Sequence, residues 1–205
     1  MVYNKVSERT DIMEETKKPE VKAPRTRRTV YNMVYTAMLT AIICVCSVIS
    51  IPVGDVPITL QTFAVCAAAG MLGWKRGTIS VIIYILLGTV GLPVFQGLTG
   101  GPGVLAGKTG GYIVGFILTA LIVGIVSDLS RRKMLPLILS MAAGVLACYA
   151  VGTPWFMFVT GLGFEVSLGY CVIPFLIPDA VKIALAAMLV NRLSKVLPEK
   201  LQQNK

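Results

Sequence analysis

Histidine is absent from this 205-residue chain. That absence excludes Ser-His-Asp hydrolysis, HExxH metalloprotease chemistry and imidazole acid–base catalysis. Charge is scarce as well: 14% of the residues are Asp, Glu, Lys or Arg, against about 25% in an average soluble domain. A chain so poor in charge cannot clothe itself in water. Cysteine is sparse and odd in number, five residues in all, at Cys44, Cys46, Cys66, Cys148 and Cys171. They lie inside apolar stretches with no CxxC spacing, so they form neither a disulfide framework nor a zinc site. Small apolar packing residues is the better reading. A Sec-type signal is not visible either, because residues 1–29 are polar and charged, with no apolar h-region and no small-residue cleavage site. No nucleotide motif survives inspection. Gly107-Lys108-Thr109 resembles the end of a P-loop, but Pro102 stands where that motif needs its first glycine, and no strand precedes it.

What fills the chain is hydrocarbon. Apolar residues make up 55% of it, and the mean hydropathy is +0.77. These values describe an integral membrane protein. Crossing the hydrocarbon core takes about 20 mainly apolar residues, and six segments qualify: Val30–Ser50, Pro57–Gly73, Gly77–Leu92, Gly110–Ser127, Met134–Thr153 and Val172–Leu193. The stretch Val94–Thr109 is rich in glycine and too broken for a helix. Pro154–Tyr170 carries Trp155, Phe156, Phe158, Phe164 and Tyr170, as expected of an interfacial or partly re-entrant connection. The expected architecture is an all-α polytopic membrane protein of six transmembrane helices, with a Gly-rich outer loop over a substrate pocket.

The basic residues orient it. Of the 19 Lys and Arg residues, eight lie in residues 1–29, two at Lys75 and Arg76, three at Arg131–Lys133 and four in the tail from Arg192. All of these fall on one side of a six-helix chain, so the positive-inside rule puts both termini in the cytoplasm. The formal net charge of +9 is then a topology signal with some affinity for anionic lipid, not a nucleic-acid footprint. The domain organisation expected is a basic cytoplasmic extension over 1–29, a membrane domain over 30–197 and a cytoplasmic tail over 198–205.

Two basic residues escape this pattern: Lys108, in the outer Gly-rich loop, and Lys182, inside the last apolar segment. Lys182 lies three residues after Asp179, so the two share a helix face. Ionisable residues at bilayer depth cost about 2.5–3.5 kcal/mol on insertion scales and usually face a partner or a cavity. A self-neutralising structural pair would also account for them. Pro174 and Pro178 loosen the backbone ladder beside them, which favours a binding role. In the first segment, Ala37 and Ala41 form a small-residue face that permits close helix approach, and Gly111 with Gly115 form another in the fourth.

Four stretches together resemble one family. They are Pro57-Ile58-Thr59-Leu60-Gln61-Thr62-Phe63, Leu87-Gly88-Thr89-Val90-Gly91-Leu92-Pro93-Val94-Phe95, Thr109-Gly110-Gly111-Tyr112-Ile113-Val114-Gly115-Phe116, and Asp179-Ala180-Val181-Lys182. In this order they are similar to the BioY family, the biotin-specific S components of energy-coupling factor transporters. The resemblance runs from about Val34 to Val190, leaving residues 1–29 outside it. It implies a six-helix subunit that captures biotin at the outer face and docks on a transmembrane coupling protein driven by two cytoplasmic ATPase subunits. Ala37 and Ala41 match the family's docking face. The chain departs from the family's Gly-Pro-Thr-Gly-Gly-Tyr pattern at Lys108.

A ureido ring offers two N–H donors and a carbonyl acceptor, which suits an Asp acceptor beside a Lys donor. With biotin as ligand, Asp179 and Lys182 are expected at the ureido end and Lys108 at the carboxylate. Gln96 and Tyr112 serve as auxiliary donors, and the two lysines could exchange roles. The Gly-rich segment is expected to order over the pocket as biotin binds. No catalytic residue, metal or cofactor is expected, and the chain is not read as an enzyme. Three other readings stand beside this one: an S component for another small anionic vitamin, a stand-alone secondary carrier with Asp179 as its proton site, and a membrane protein with no ligand.

Overall fold

The structure, a computed structural model, describes residues 25–51 and 56–196. The remaining residues, which include the expected tail and most of the expected N-terminal extension, lie outside the described set. Helix α1 spans Arg25–Val48 and leads into a two-residue strand, β1 (Ser50–Ile51), paired antiparallel with β2 (Ile58–Thr59). Helix α2 covers Gln61–Thr89 and α3 is one short turn, Pro102–Ala106. Then come α4 (Gly110–Leu129), α5 (Met134–Thr160), α6 (Phe164–Cys171) and α7 (Ile173–Val196). Among the described residues, five helical spans are long and apolar enough to cross a membrane. The polytopic all-α class is therefore what the structure shows.

A straight helix of 29 residues would run about 43 Å, well beyond a hydrocarbon core of about 30 Å. α2 does not run straight. Gly73 breaks it at φ 76° and ψ −179°, a conformation essentially confined to glycine. A Cβ added to Gly77 would stand 2.7 Å from the Cα of Ala69, although eight residues of straight helix would separate them by about 12 Å. The chain has folded back. The two arms of α2 thus take up the separately expected segments Pro57–Gly73 and Gly77–Leu92.

The ends created by this break are capped from elsewhere. Asp128, at the end of α4, accepts the Trp74 N–H at 3.1 Å, and the Arg132 guanidinium donates to the Met71 carbonyl at 2.6 Å. Anion at a helix start and cation at a helix end both match the helix dipole. Burial holds the Arg132 guanidinium below its ordinary range, and neighbouring Asp128 works against that shift. The Asn191 side chain of α7 donates to the Arg132 carbonyl at 3.2 Å, so three helix ends are tied together here.

α4 and α5 pack antiparallel at very short range. Gly111 faces Gly152 and Trp155, Gly115 faces Cys148, and Thr119 faces Gly144. Each step advances four residues along both helices, so small residues meet in register and the backbones close up. Gly111 and Gly115 are accordingly internal packing. Ala37 and Ala41 differ: both are exposed on α1. From Asn32 onward α1 is tied to the second arm of α2 by hydrogen bonds. Asn32 accepts from Arg76 at 2.9 Å, Thr40 pairs with Ser80 at 2.9 Å, and Ser47 pairs with Tyr84 at 2.8 Å. Gln61 joins the last of these, donating to Tyr84 at 3.0 Å.

Four expectations need correction. Pro57 does not start a helix, because Ile58 and Thr59 pair with β1 and α2 begins at Gln61. α5 does not stop at Thr153; it continues through Pro154 to Thr160. Proline is tolerated in membrane helices where neighbours satisfy the freed groups. Pro154–Tyr170 is consequently mostly helix, the end of α5 followed by α6. The Val94–Thr109 stretch also holds helical turns at Gln96–Leu98 and Pro102–Ala106.

Candidate functional site

The buried stripe of α7 follows the helical repeat: Phe175, Asp179, Lys182, Ile183, Ala186, Ala187 and Val190. The acid and the base thus occupy positions that should carry hydrocarbon. Asp179 is 4% exposed and Lys182 7%, and Nζ of Lys182 donates to Oδ1 of Asp179 at 2.8 Å. The second carboxylate oxygen accepts from the Tyr149 hydroxyl of α5. Burying two charges is repaid only when geometry is good and the remaining polar atoms find partners. Here they open onto a cavity.

That cavity has a volume of about 570 Å³, counting the open solvent at its mouth. Its walls come from the β2–α2 start (Thr59, Gln61, Thr62), the start of α4 (Thr109, Tyr112, Phe116), α5 (Cys148, Tyr149) and α7 (Phe175, Asp179, Lys182). Tyr112 is locked in place by its hydroxyl pairing with Thr153 at 3.1 Å and by Cys148 Sγ donating to its carbonyl at 3.4 Å. Gln96 donates to Thr109 at 3.4 Å, and both line the cavity.

Four of the five residues expected to bind ligand line one cavity: Asp179, Lys182, Gln96 and Tyr112. Lys108 does not; it is exposed, one residue before the lining Thr109. Asp179 and Lys182 are the acid and base of the lining, so the wall as described carries no net charge. Tyr149, which bonds Asp179 and lines the cavity, is a site residue that sequence reading missed. Its signal was faint, one phenol in an apolar helix, and its partner lies 30 residues away.

The cavity sits at the ends of α2, α4 and α7 opposite to Arg131–Lys133 and Lys75–Arg76. The chain and its fold are similar to known proteins. A model of the BioY family matches residues 15–199. The chain belongs to the BioY family. The match reaches further toward both ends than the span from Val34 to Val190 seen in the motifs, and it enters the basic N-terminal stretch. Among BioY relatives, the biotin transporter BioY of Thermotoga maritima is 40% identical over 170 residues, covering 82% of this chain and 99% of that protein. The probable biotin transporter BioY of Pyrococcus horikoshii is 40% identical over 157 residues, covering 77% and 92% respectively. In three dimensions the chain is similar to the S-component for biotin from an ECF-type ABC transporter. The TM-score is 0.79 at 31% identity, covering 84% of this chain and 95% of that one.

Proposed function

We propose that this chain is the biotin-binding S component of an energy-coupling factor transporter, taking biotin into the cavity between α2, α4 and α7. The observation that carries the reading is the buried Asp179–Lys182 pair facing that cavity, in a chain whose relatives are described as biotin transporters. An ureido ring has two donors and one acceptor. Asp179 retains lone pairs after accepting from Lys182 and Tyr149, and Lys182 retains donors after its bond to Asp179. The pair can therefore meet both kinds of ureido atom while staying neutral overall.

The carboxylate of biotin brings one more negative charge, which is costly in a poorly solvated site unless matched. We assign it to Lys108, at the mouth, with Gln96 and Tyr112 as auxiliary donors. With the basic connections in the cytoplasm, both termini are cytoplasmic, the arms of α2 cross separately, and the cavity opens to the outside. The segment Val94–Thr109 then lies over the mouth and orders further when biotin binds. Ala37 and Ala41, exposed on α1, form the docking face for a transmembrane coupling protein, itself driven by two cytoplasmic ATPase subunits. The chain performs no catalysis in this scheme.

The test is the unfolding temperature of the detergent-purified protein with biotin, thiamine or riboflavin. Selective stabilisation by biotin is expected, since a ligand at a hundredfold excess over Kd adds about 2.7 kcal/mol. Stabilisation by another vitamin and not by biotin would replace the substrate. Uptake into liposomes without any ATP-driven module would mark a stand-alone carrier.

A further inference from the structure

An exposed tryptophan near the end of a membrane helix ordinarily lies at the interface with its N–H toward water or headgroups. Trp155 of α5 is exposed, yet its indole N–H is turned inward and donates to the Gly107 carbonyl at 3.0 Å. That carbonyl also accepts the Gly110 N–H at 3.1 Å, so it is the corner of the turn that starts α4. The approach is possible because residue 111 has no side chain: any Cβ there would overlap Trp155. The turn so held carries Lys108 at the mouth and Thr109 in the cavity wall, and Tyr112 and Phe116 follow one and two turns later.

The segment leading to this turn is otherwise secured upstream. Phe95 is fully buried edge-on against Tyr84, and the Gly101 N–H donates to the Gly88 carbonyl at 2.7 Å. Between Gly101 and α4, the Gln96–Thr109 contact at 3.4 Å and the Trp155–Gly107 bond at 3.0 Å are two of the side-chain ties on this segment. The first is long for a hydrogen bond and the second is of ordinary length.

We infer that Trp155 is a positioning residue for ligand retention: through the Gly107 carbonyl it fixes the turn that places Lys108 and Thr109 at the cavity mouth. This rests on the reading that the cavity takes biotin, but the anchor itself can be tested without ligand. Trp155→Phe keeps an aromatic ring and deletes the donor. In the ligand-free protein, thermolysin cleavage at Val104 and Leu105 should rise roughly fivefold, the worth of one hydrogen bond of net strength about 1 kcal/mol. In the biotin complex the dissociation rate should rise by a similar roughly fivefold factor, with association unchanged. A merely structural defect would lower the unfolding temperature without that split between rates.

Positioning of Lys108 adds a second signature. The losses of biotin affinity in Trp155→Phe and Lys108→Ala should be less than additive in the double variant, as for residues acting through one contact. Trp155→Tyr, which moves the donor to the far side of a smaller ring, is the second variant should the first fold poorly, with the same results expected. Unchanged loop cleavage and an unchanged dissociation rate would overturn the inference, as would fully additive losses. If the wild-type protein binds no biotin, the proposed function fails, and the cleavage result alone still decides whether Trp155 anchors the turn.

Discussion

Gly73→Ala isolates the reversal on which the whole arrangement depends. At φ 76° and ψ −179° an alanine pays about 1–3 kcal/mol of backbone strain. Its Cβ would also fall on the Asp128 carboxylate, which must swing away and release the Trp74 N–H. Asp128 is exposed, so this cap is valued like an ordinary helix N-cap, about 1 kcal/mol. The sum predicts a loss of about 2–4 kcal/mol. Asp128→Ala alone should cost about 1 kcal/mol. The double variant should cost no more than Gly73→Ala, because the cap is already lost and the clash is relieved. Reversible denaturation in mixed micelles, read by circular dichroism, measures all three. A Gly73→Ala protein within about 0.5 kcal/mol of wild type, the usual range of a neutral surface change, would refute the reasoning. Strict additivity in the double variant would refute the part played by Asp128.

Other outcomes follow from the site. Lys108→Ala should weaken biotin by up to about fivefold and biotin amide hardly at all, since an ion pair made by an exposed lysine is worth about 0.2–1 kcal/mol; titration calorimetry with both ligands checks it, and equal losses would remove Lys108 from the carboxylate. Tyr149→Phe leaves one Asp179 oxygen without its phenol donor and should weaken biotin by about tenfold, a bond to a charged group being worth about 1.5–3 kcal/mol before solvent or ligand compensates; fluorescence titration measures it. Ala41→Trp should block pull-down of the coupling protein while leaving biotin affinity within about twofold, because close backbone approach is what small residues supply in a membrane.

The apolar segments are legible in the chain because hydrocarbon and charge are so sharply segregated. Asp179 and Lys182 stand out for the same reason: a helix stripe of Phe175, Ile183, Ala186 and Val190 makes two charges conspicuous. The small residues were ambiguous, since Gly111/Gly115 and Ala37/Ala41 share one spacing. Packing separates them, placing the glycines against α5 and leaving the alanines exposed. The β1–β2 pairing was not legible, because two-residue strands carry no periodicity. Pro154 read as a stop because that rule comes from soluble helices, where no neighbouring helix makes good the lost bond. Tyr149 escaped notice and Trp155 was read only as an interfacial aromatic, for a common reason. Each bonds to a partner 30 or 48 residues distant, and nothing local announces it.

The central claim is that the Asp179–Lys182 pair forms the floor of a biotin site. Titration calorimetry of biotin into the purified wild-type protein and into Asp179→Asn tests it most directly. The account predicts saturable binding at one biotin per chain for the wild type. For Asp179→Asn it predicts affinity lower by about 30-fold or more, since Lys182 is then left buried without its counter-charge. The loss should be the same for biotin amide, because the ureido end is common to both ligands. Wild-type affinity retained in Asp179→Asn would contradict the account.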